Sequence, residues 1–258
     1  MRIVAVGAPE GVNPALRTAR SSLVHVVEAI GGLTGETLLM SRDPQGRAVA
    51  RSARLAIGGN DLAHLHMPCR ATQWALVLDA LVRLPDSAMG GARAAAEALL
   101  FTTRTQLVIS SVTALDRPSP SFGQHVASYW PGATFVVDLA AGTVGPFRRS
   151  IEVPPHGVVL ARSGRQVVPD GVVRALPSPL LEIRVPGTEW KARRWLEVTG
   201  TETSPEHIVA TALNGGTWAR CSVCGRSGLS ARCLFCEVDL PGAATAGVAA
   251  ATSQGVLQ

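Results

Sequence analysis

The stretch "RIVAVGAPEG" (residues 2–11) decides the fold class. Ile3 to Val6 form a continuous apolar run of strand length, and Gly7 and Pro9 break it into a turn. A buried strand that opens into a Gly/Pro turn and then a helix is the repeating step of an α/β sheet. The helix is expected from Pro14 to Ile30. There Leu16, Leu23, Val24, Val27 and Ile30 fall near helical spacing, and Gly31-Gly32 provides a stop. Further along, "ETLLMS" (36–41) reads as a strand, and "AVARSARLAI" (48–57) and "LAHLHM" (62–67) read as two strands around the turn "GGND". "ATQWALVLDALVRL" (71–84) is a strong helix ended by Pro85, and "AMGGARAAAEALLFTT" (88–103) is a second. "QLVISSV" (106–112), "SFGQHVASYW" (121–130) and "TFVVDL" (134–139) give strand, short helix and strand. The alternation predicts a largely parallel sheet flanked by helices over the first 140 residues.

The texture then changes. "VVDLAAGTVGPF" (136–147) suits a hairpin, and "GVVLAR", "LLEIRV" and "KARRWLEV" are strand-like pieces between prolines and glycines. Residues 1–200 are therefore expected to form one α/β domain, with 143–200 as a β-rich continuation. A connecting helix should occupy 201–216, with Ser204 or Thr203 as N-cap, Pro205 in the first turn and Gly215 as the stop. The small, polar end, 241–258, is expected to be flexible.

Of 258 residues, 47% are hydrophobic and only 4% aromatic, so the core should be built from Ala, Val and Leu. No apolar run approaches the roughly 18–20 residues of a membrane helix, and the first stretch is too short for a signal peptide. A soluble, cytoplasmic protein without membrane association is the expectation. The formal charge is +5, carried by 23 Arg and a single Lys.

The most informative chemistry is "CSVCGRSGLSARCLFCEV" (221–238). Zn²⁺ takes four ligands in a tetrahedron and binds thiolates readily. Cys221 and Cys224 form one Cys-x-x-Cys turn, Cys233 and Cys236 another, and the link between them is long enough to fold back as a hairpin. Stable disulfides or a redox pair are the alternatives, and two matched pairs favour metal. Four protein ligands leave no position for water, so the ion would be structural and would supply the module's folding energy. Its charge with four thiolates is about −2, which reduces the chain's excess to about +3.

Residues 219–240 resemble the short zinc-ribbon modules of bacterial proteins. The first turn reads "CSVCG", the link is polar, and Arg232 stands beside the second turn, "CLFC". Glu237 departs from the pattern, standing where many members carry Gly. The resemblance implies a bound metal and leaves function open, because such modules bind nucleic acid in some proteins and only proteins in others.

Ligands of open α/β sheets sit beyond the carboxyl ends of the strands, which directs attention to the loops Gly7–Asn13, Val112–Ser121 and Asp138–Gly142. None carries a dinucleotide fingerprint or a P-loop. The second holds Asp116, Arg117 and Ser119 before a helix, a candidate contact for an anion. His64 and His66 share one face of a strand with Cys69 close behind, and a solvated histidine face is expected there. Lys191, Arg193 and Arg194 lie between Trp190 and Trp195, and Arg220, Arg226 and Arg232 could extend a basic surface for nucleic acid.

The leading functional expectation is a non-catalytic adaptor that docks onto a protein partner through its zinc module. The alternatives are nucleic-acid binding through the arginines and an enzyme acting on an anionic small molecule at loop 112–121.

Overall fold

The computed structural model describes residues 1–164, 168–177, 180–185 and 189–243. The expected flexible tail lies, from residue 244 on, outside the described residues. The chain begins with β1 (Arg2–Val6), β2 (Arg17–Ala19), α1 (Leu23–Ile30), β3 (Thr37–Ser41), α2 (Pro44–Ile57) and β4 (Leu62–His66). These strands form a four-stranded parallel sheet, ordered β2-β1-β3-β4. Alternation along the strands sorts its two faces. Val4, Val6, Leu39 and Leu62 pack against Val26 and Ile30 of α1 and Ala50 and Ala53 of α2. Ile3, Ala5, Leu38, Met40, Ala63 and Leu65 turn the other way, into the main core.

Next come α3 (Ala71–Val82), a 3₁₀ turn (Asp86–Gly91), α4 (Ala92–Thr102), β5 (Thr103–Ile109) and α5 (Phe122–Ala127). They lead to β6 (Phe135–Asp138), β7 (Thr143–Pro146), β8 (His156–Arg162), α6 (Asp170–Val173), β9 (Leu181–Ile183) and β10 (Trp195–Thr201). A second, six-stranded sheet runs β7-β6-β5-β10-β8-β9, and only its β8–β9 pair is parallel. All seven residues of β10 are buried, as its central place demands. Helix α3 lies between the sheets and touches β1, β8 and β10. That position explains why it is apolar nearly all round, with Trp74, Leu78 and Leu81 fully buried. The chain ends with α7 (Pro205–Gly215), β11 (Ala219–Arg220) and β12 (Ser227–Gly228). Ser204 Oγ accepts the His207 amide at 3.3 Å and caps α7 as the sequence predicts.

The α/β class, with a parallel sheet flanked by helices and a cysteine cluster at the end, agrees with the sequence reading. Three details differ. Residues 48–57 are helix, not strand. Asp43 Oδ1 accepts the Gly46 amide at 2.7 Å, Pro44 opens the first turn, and Gly58 closes the helix at φ 66°. The first helix covers only Leu23–Ile30, because Asn13 turns the chain through its contact with the Ala15 amide and Arg17–Ala19 pairs with β1. The parallel sheet ends at β4, since β5 and β6 pair antiparallel in the second sheet. No helix among the described residues is long and apolar enough to cross a membrane.

Candidate functional site

The four cysteines come together. Their sulfurs all lie within 4.8 Å of one another. The Cys221–Cys236 and Cys224–Cys233 pairs stand 3.6 Å apart, far beyond the ~2.05 Å of a disulfide. Such a cluster could hold a metal ion. The two turns share one backbone pattern. Gly225 N–H donates to Cys221 O and Cys221 N–H to Arg226 O; Glu237 N–H donates to Cys233 O and Cys233 N–H to Val238 O. Gly225 and Glu237 both adopt positive φ, 72° and 58°. The departure at Glu237 therefore leaves the turn intact. Amides of Cys224 and Val223 turned toward Cys221 pull its thiol below the ordinary value.

The cysteine module is sewn into the body of the molecule. His64 N–H donates to Leu234 O at 3.1 Å, and Leu229 N–H to Gly90 O at 3.2 Å. Arg226 pairs with Glu36 and Asp61, at 2.5 and 2.6 Å, and lies over the Phe235 ring. Glu237 is held by Arg54 at 3.0 Å and Arg51 at 3.4 Å. Leu234, Phe235 and Leu240 are buried in the main core.

Beside the module, His64 is buried and His66 half-buried, so the expected solvated histidine face is covered by α2 and the Cys233–Glu237 turn. Ser41 Oγ lies 3.2 Å from His64 Nε2 and 3.1 Å from His66 Nδ1. Burial lowers the His64 pKa to about 4, and burial first and the Arg47 charge second lower that of His66. Burial also pushes the Cys69 thiol up to about 12, which leaves it a poor nucleophile.

Two larger clefts flank α3 on the same face of the mixed sheet. One, of about 440 Å³, lies over β8 and β9, with Leu76, Val158, Val159, Leu181 and Pro205 among its walls. At its rim Arg83 is claimed twice, by Asp79 at 2.5 Å and Glu206 at 2.7 Å. The other, of about 350 Å³, lies over the start of β5 and the turn that follows β6. Here two of the loops singled out in the sequence meet: Arg117 and Pro118 from one, Leu139, Ala140 and Gly142 from the other. Arg70, Gln73, Leu100, Thr103 and Thr105 complete the walls. Gln73 Nε2 donates to Thr103 Oγ1 at 2.9 Å. Behind Thr105 a buried polar chain continues. Thr105 and Thr72 both meet Thr199, Thr72 Oγ1 donates to Glu197, and Trp190 Nε1 donates to Glu197 Oε2 at 2.6 Å. Arg70 stacks on Trp190 with 4.3 Å to the ring centroid. Neither Arg70 nor Arg117 makes an ion pair among the described residues, although the charge of Arg70 is felt at the buried Glu197.

Of the other candidates, Asp116 is exposed, and Asp138 is occupied by the Ala140 and Ala141 amides of its own turn. The Gly7–Asn13 loop is held closed, through Asn13 on Asp79 and a bridge from Glu10 to Arg184. Lys191, Arg193 and Arg194 are exposed, but Trp190 and Trp195 are both buried, which leaves no exposed ring between them for a base to stack on. Arg226 is consumed inside the fold, and Arg232 pairs with Asp239 at 3.5 Å. The sequence reading missed Arg70, Gln73, Thr103 and Thr105. Only Arg70, directly before the strongest helix, stood at a position that sequence could have marked.

No family model and no curated protein matches the sequence. Solved structures do match. A DegV family protein from Eubacterium eligens loaded with heptadecanoic acid superposes with a TM-score of 0.55 at 11% identity, over 79% of this chain and 100% of that one. DegV family proteins from Corynebacterium glutamicum and Thermus thermophilus match with a TM-score of 0.45, at 10% and 12% identity. They cover 78% of this chain and 96% and 100% of their own. The Thermus protein is described by its fatty acid binding.

The fold is similar to that of a DegV family protein.

This likeness corrects the functional expectation. The adaptor reading, with its protein partner, rested on a closed four-cysteine site and on the lack of a complete catalytic constellation in the sequence. The fold-mate from Eubacterium eligens carries a fatty acid, and the module here spends its apolar side chains and Arg226 on its own sheet. The nucleic-acid alternative finds no support in this likeness either.

Proposed function

We propose that this chain binds a long-chain carboxylate, a fatty acid or close relative, in the cleft over the start of β5 and the turn that follows β6. The observation that carries the reading is the pair Arg70 and Arg117. These two guanidiniums, neither in an ion pair among the described residues, stand at a cleft whose remaining walls offer Thr103, Thr105 and Gln73 to a head group and Leu100, Leu139 and Pro118 to a chain. Arginine suits a carboxylate because its planar fork donates to both oxygens. The volume falls in the ~300–1,000 Å³ range of small-molecule sites. The heptadecanoic acid in the fold-mate lends support to the ligand class. The larger cleft over β8 and β9 fits a carboxylate less well, because Asp79 and Glu206 sit at its rim.

Titration of the full-length protein with palmitate and with its methyl ester tests this. Palmitate should bind and the ester should bind far more weakly. Arg117→Ala should weaken palmitate about tenfold or more, since a hydrogen bond to a charged group contributes ~1.5–3 kcal/mol. Leu181→Arg, in the other cleft, should leave it unchanged. Equal binding of acid and ester, or loss in Leu181→Arg alone, would move the site or end the reading.

We infer that the ion of the cysteine cluster is Zn²⁺, with Cys221, Cys224, Cys233 and Cys236 as its ligands. Four convergent thiols in two matched turns are the donor set this ion prefers in structural sites.

A further inference from the structure

We propose that the small cavity between the cysteine module and the parallel sheet is a binding site for a tetrahedral oxyanion: inorganic phosphate, or the phosphate of a phosphomonoester. The cavity holds about 120 Å³. That is about the liquid volume of four water molecules, room for a small anion and too little for a nucleotide or an acyl chain. Its walls come from four parts of the fold. Helix α2 supplies Arg47 and Arg51, α4 supplies Arg93, the module supplies Arg232, and β4 supplies His64 and His66. Glu237 is the single carboxylate among the lining residues, and it already bridges Arg51 and Arg54.

Charge and hydrogen bonding point the same way. Four guanidiniums face one carboxylate, so the cavity is positive. Counted over the lining side chains alone, the balance stays positive when a four-thiolate metal centre of about −2 is placed behind Cys233. Gathering like charges costs free energy unless a counter-charge joins them. Arg47 is exposed and has no acidic partner among the described residues, while Arg93 reaches Glu97 only at 3.7 Å and Arg232 reaches Asp239 at 3.5 Å. The histidines add donors. Ser41 has one hydroxyl proton shared between two rings, so it donates to one ring and accepts from the other. In either arrangement of the neutral rings, one histidine retains an N–H on its far nitrogen. Two histidines alone would suit a cation, but the guanidiniums around them repel one. No residue is shared with the carboxylate cleft, and this site stands whether or not the fatty-acid reading holds.

Calorimetric titration of the full-length, metal-loaded protein, at fixed ionic strength, tests the inference. Inorganic phosphate and glycerol phosphate are the probes and chloride is the control. Saturable binding of either phosphate, weakened tenfold or more in Arg47→Ala, supports the site. Arg47 is exposed, so this variant should fold as wild type. Weakening by Arg93→Ala as well would confirm that α2 and α4 act on one ligand. Tighter inorganic phosphate would identify a free ion as the occupant, and a tighter ester would identify a head group. Absence of saturable heat with both probes, or equal affinity in wild type and Arg47→Ala, overturns the proposal.

Discussion

Glu237 occupies a backbone angle, φ 58°, that costs a residue with a Cβ about 1–2 kcal/mol. Its side chain offsets that cost by reaching Arg51 and Arg54, partly exposed pairs that contribute ~0.2–1 kcal/mol each. The two substitutions at this position should therefore differ. Glu237→Ala loses the pairs and keeps the strained angle, and should destabilise the metal-loaded protein by about 1 kcal/mol. Glu237→Gly loses the pairs but relieves the angle, and should be nearly neutral. Urea denaturation of both variants checks the contrast. Glu197 provides a second residue-scale expectation. Burial raises its pKa above the ordinary carboxylate value, while the Thr72 and Trp190 hydrogen bonds pull the other way. An acid with a raised folded-state pKa holds its proton more tightly folded than unfolded. Its contribution is complete below the unfolded pKa and is lost as pH rises through the folded one. Glu197→Gln, with its amide nitrogen toward Thr72 and its oxygen toward Trp190, removes that loss. Wild-type stability should fall relative to this variant as pH rises from the ordinary carboxylate range. Parallel curves for the two proteins across that interval would refute the assignment.

Among the elements, the 3₁₀ turn Asp86–Gly91 and the β11–β12 hairpin meet so closely that no side chain fits between them. A Cβ on Gly90 would stand 1.9 Å from Ser227 O, and Gly90 O receives the Leu229 amide. Gly90→Ala should push the hairpin outward, cost about 1–3 kcal/mol as overpacking does, and hasten loss of metal to a chelator. Faster metal release in a colorimetric exchange assay is the readout. Elements also mark where sequence reasoning succeeded and failed. Helix α3 was legible because a long apolar run meets a stop at Pro85, and α7 because a cap at Ser204, a proline in the first turn and a glycine stop agree. Helix α2 was not. Its Ala, Val and Arg positions suit an alternating strand as well as a helix, and what settles it is Asp43 accepting the Gly46 amide. The cysteine turns were legible because metal geometry fixes their spacing. The cleft lined by Arg70 and Arg117 was legible only in part. Arg117 and Leu139 lie in loops that the strand-end rule singles out, whereas Thr103 and Thr105 meet Leu139 because β5 pairs antiparallel with β6, and Arg70 arrives at the head of α3. No local pattern announces which strand ends and which helix will share one cleft.

At the scale of the whole molecule, the cysteine module and the two sheets share one core. Leu234, Phe235, Cys221 and Cys233 belong to the same buried cluster as Trp74, Leu107 and Trp195. Removing the metal should therefore be felt beyond the module. Treatment with a strong chelator is expected to lower the main thermal unfolding midpoint. An unchanged main transition, preceded by a separate small one, would mean that the module unfolds alone. The contact of Leu234 with β4 has one more consequence. β4 is the outer strand of the parallel sheet, and His64 gives its amide to the module. An uncovered outer strand is a template on which another chain can add its own. The turn that carries Leu234 covers this edge, so stripping metal from the four cysteines is expected to bare it, and the stripped protein should self-associate in light scattering where the loaded protein does not.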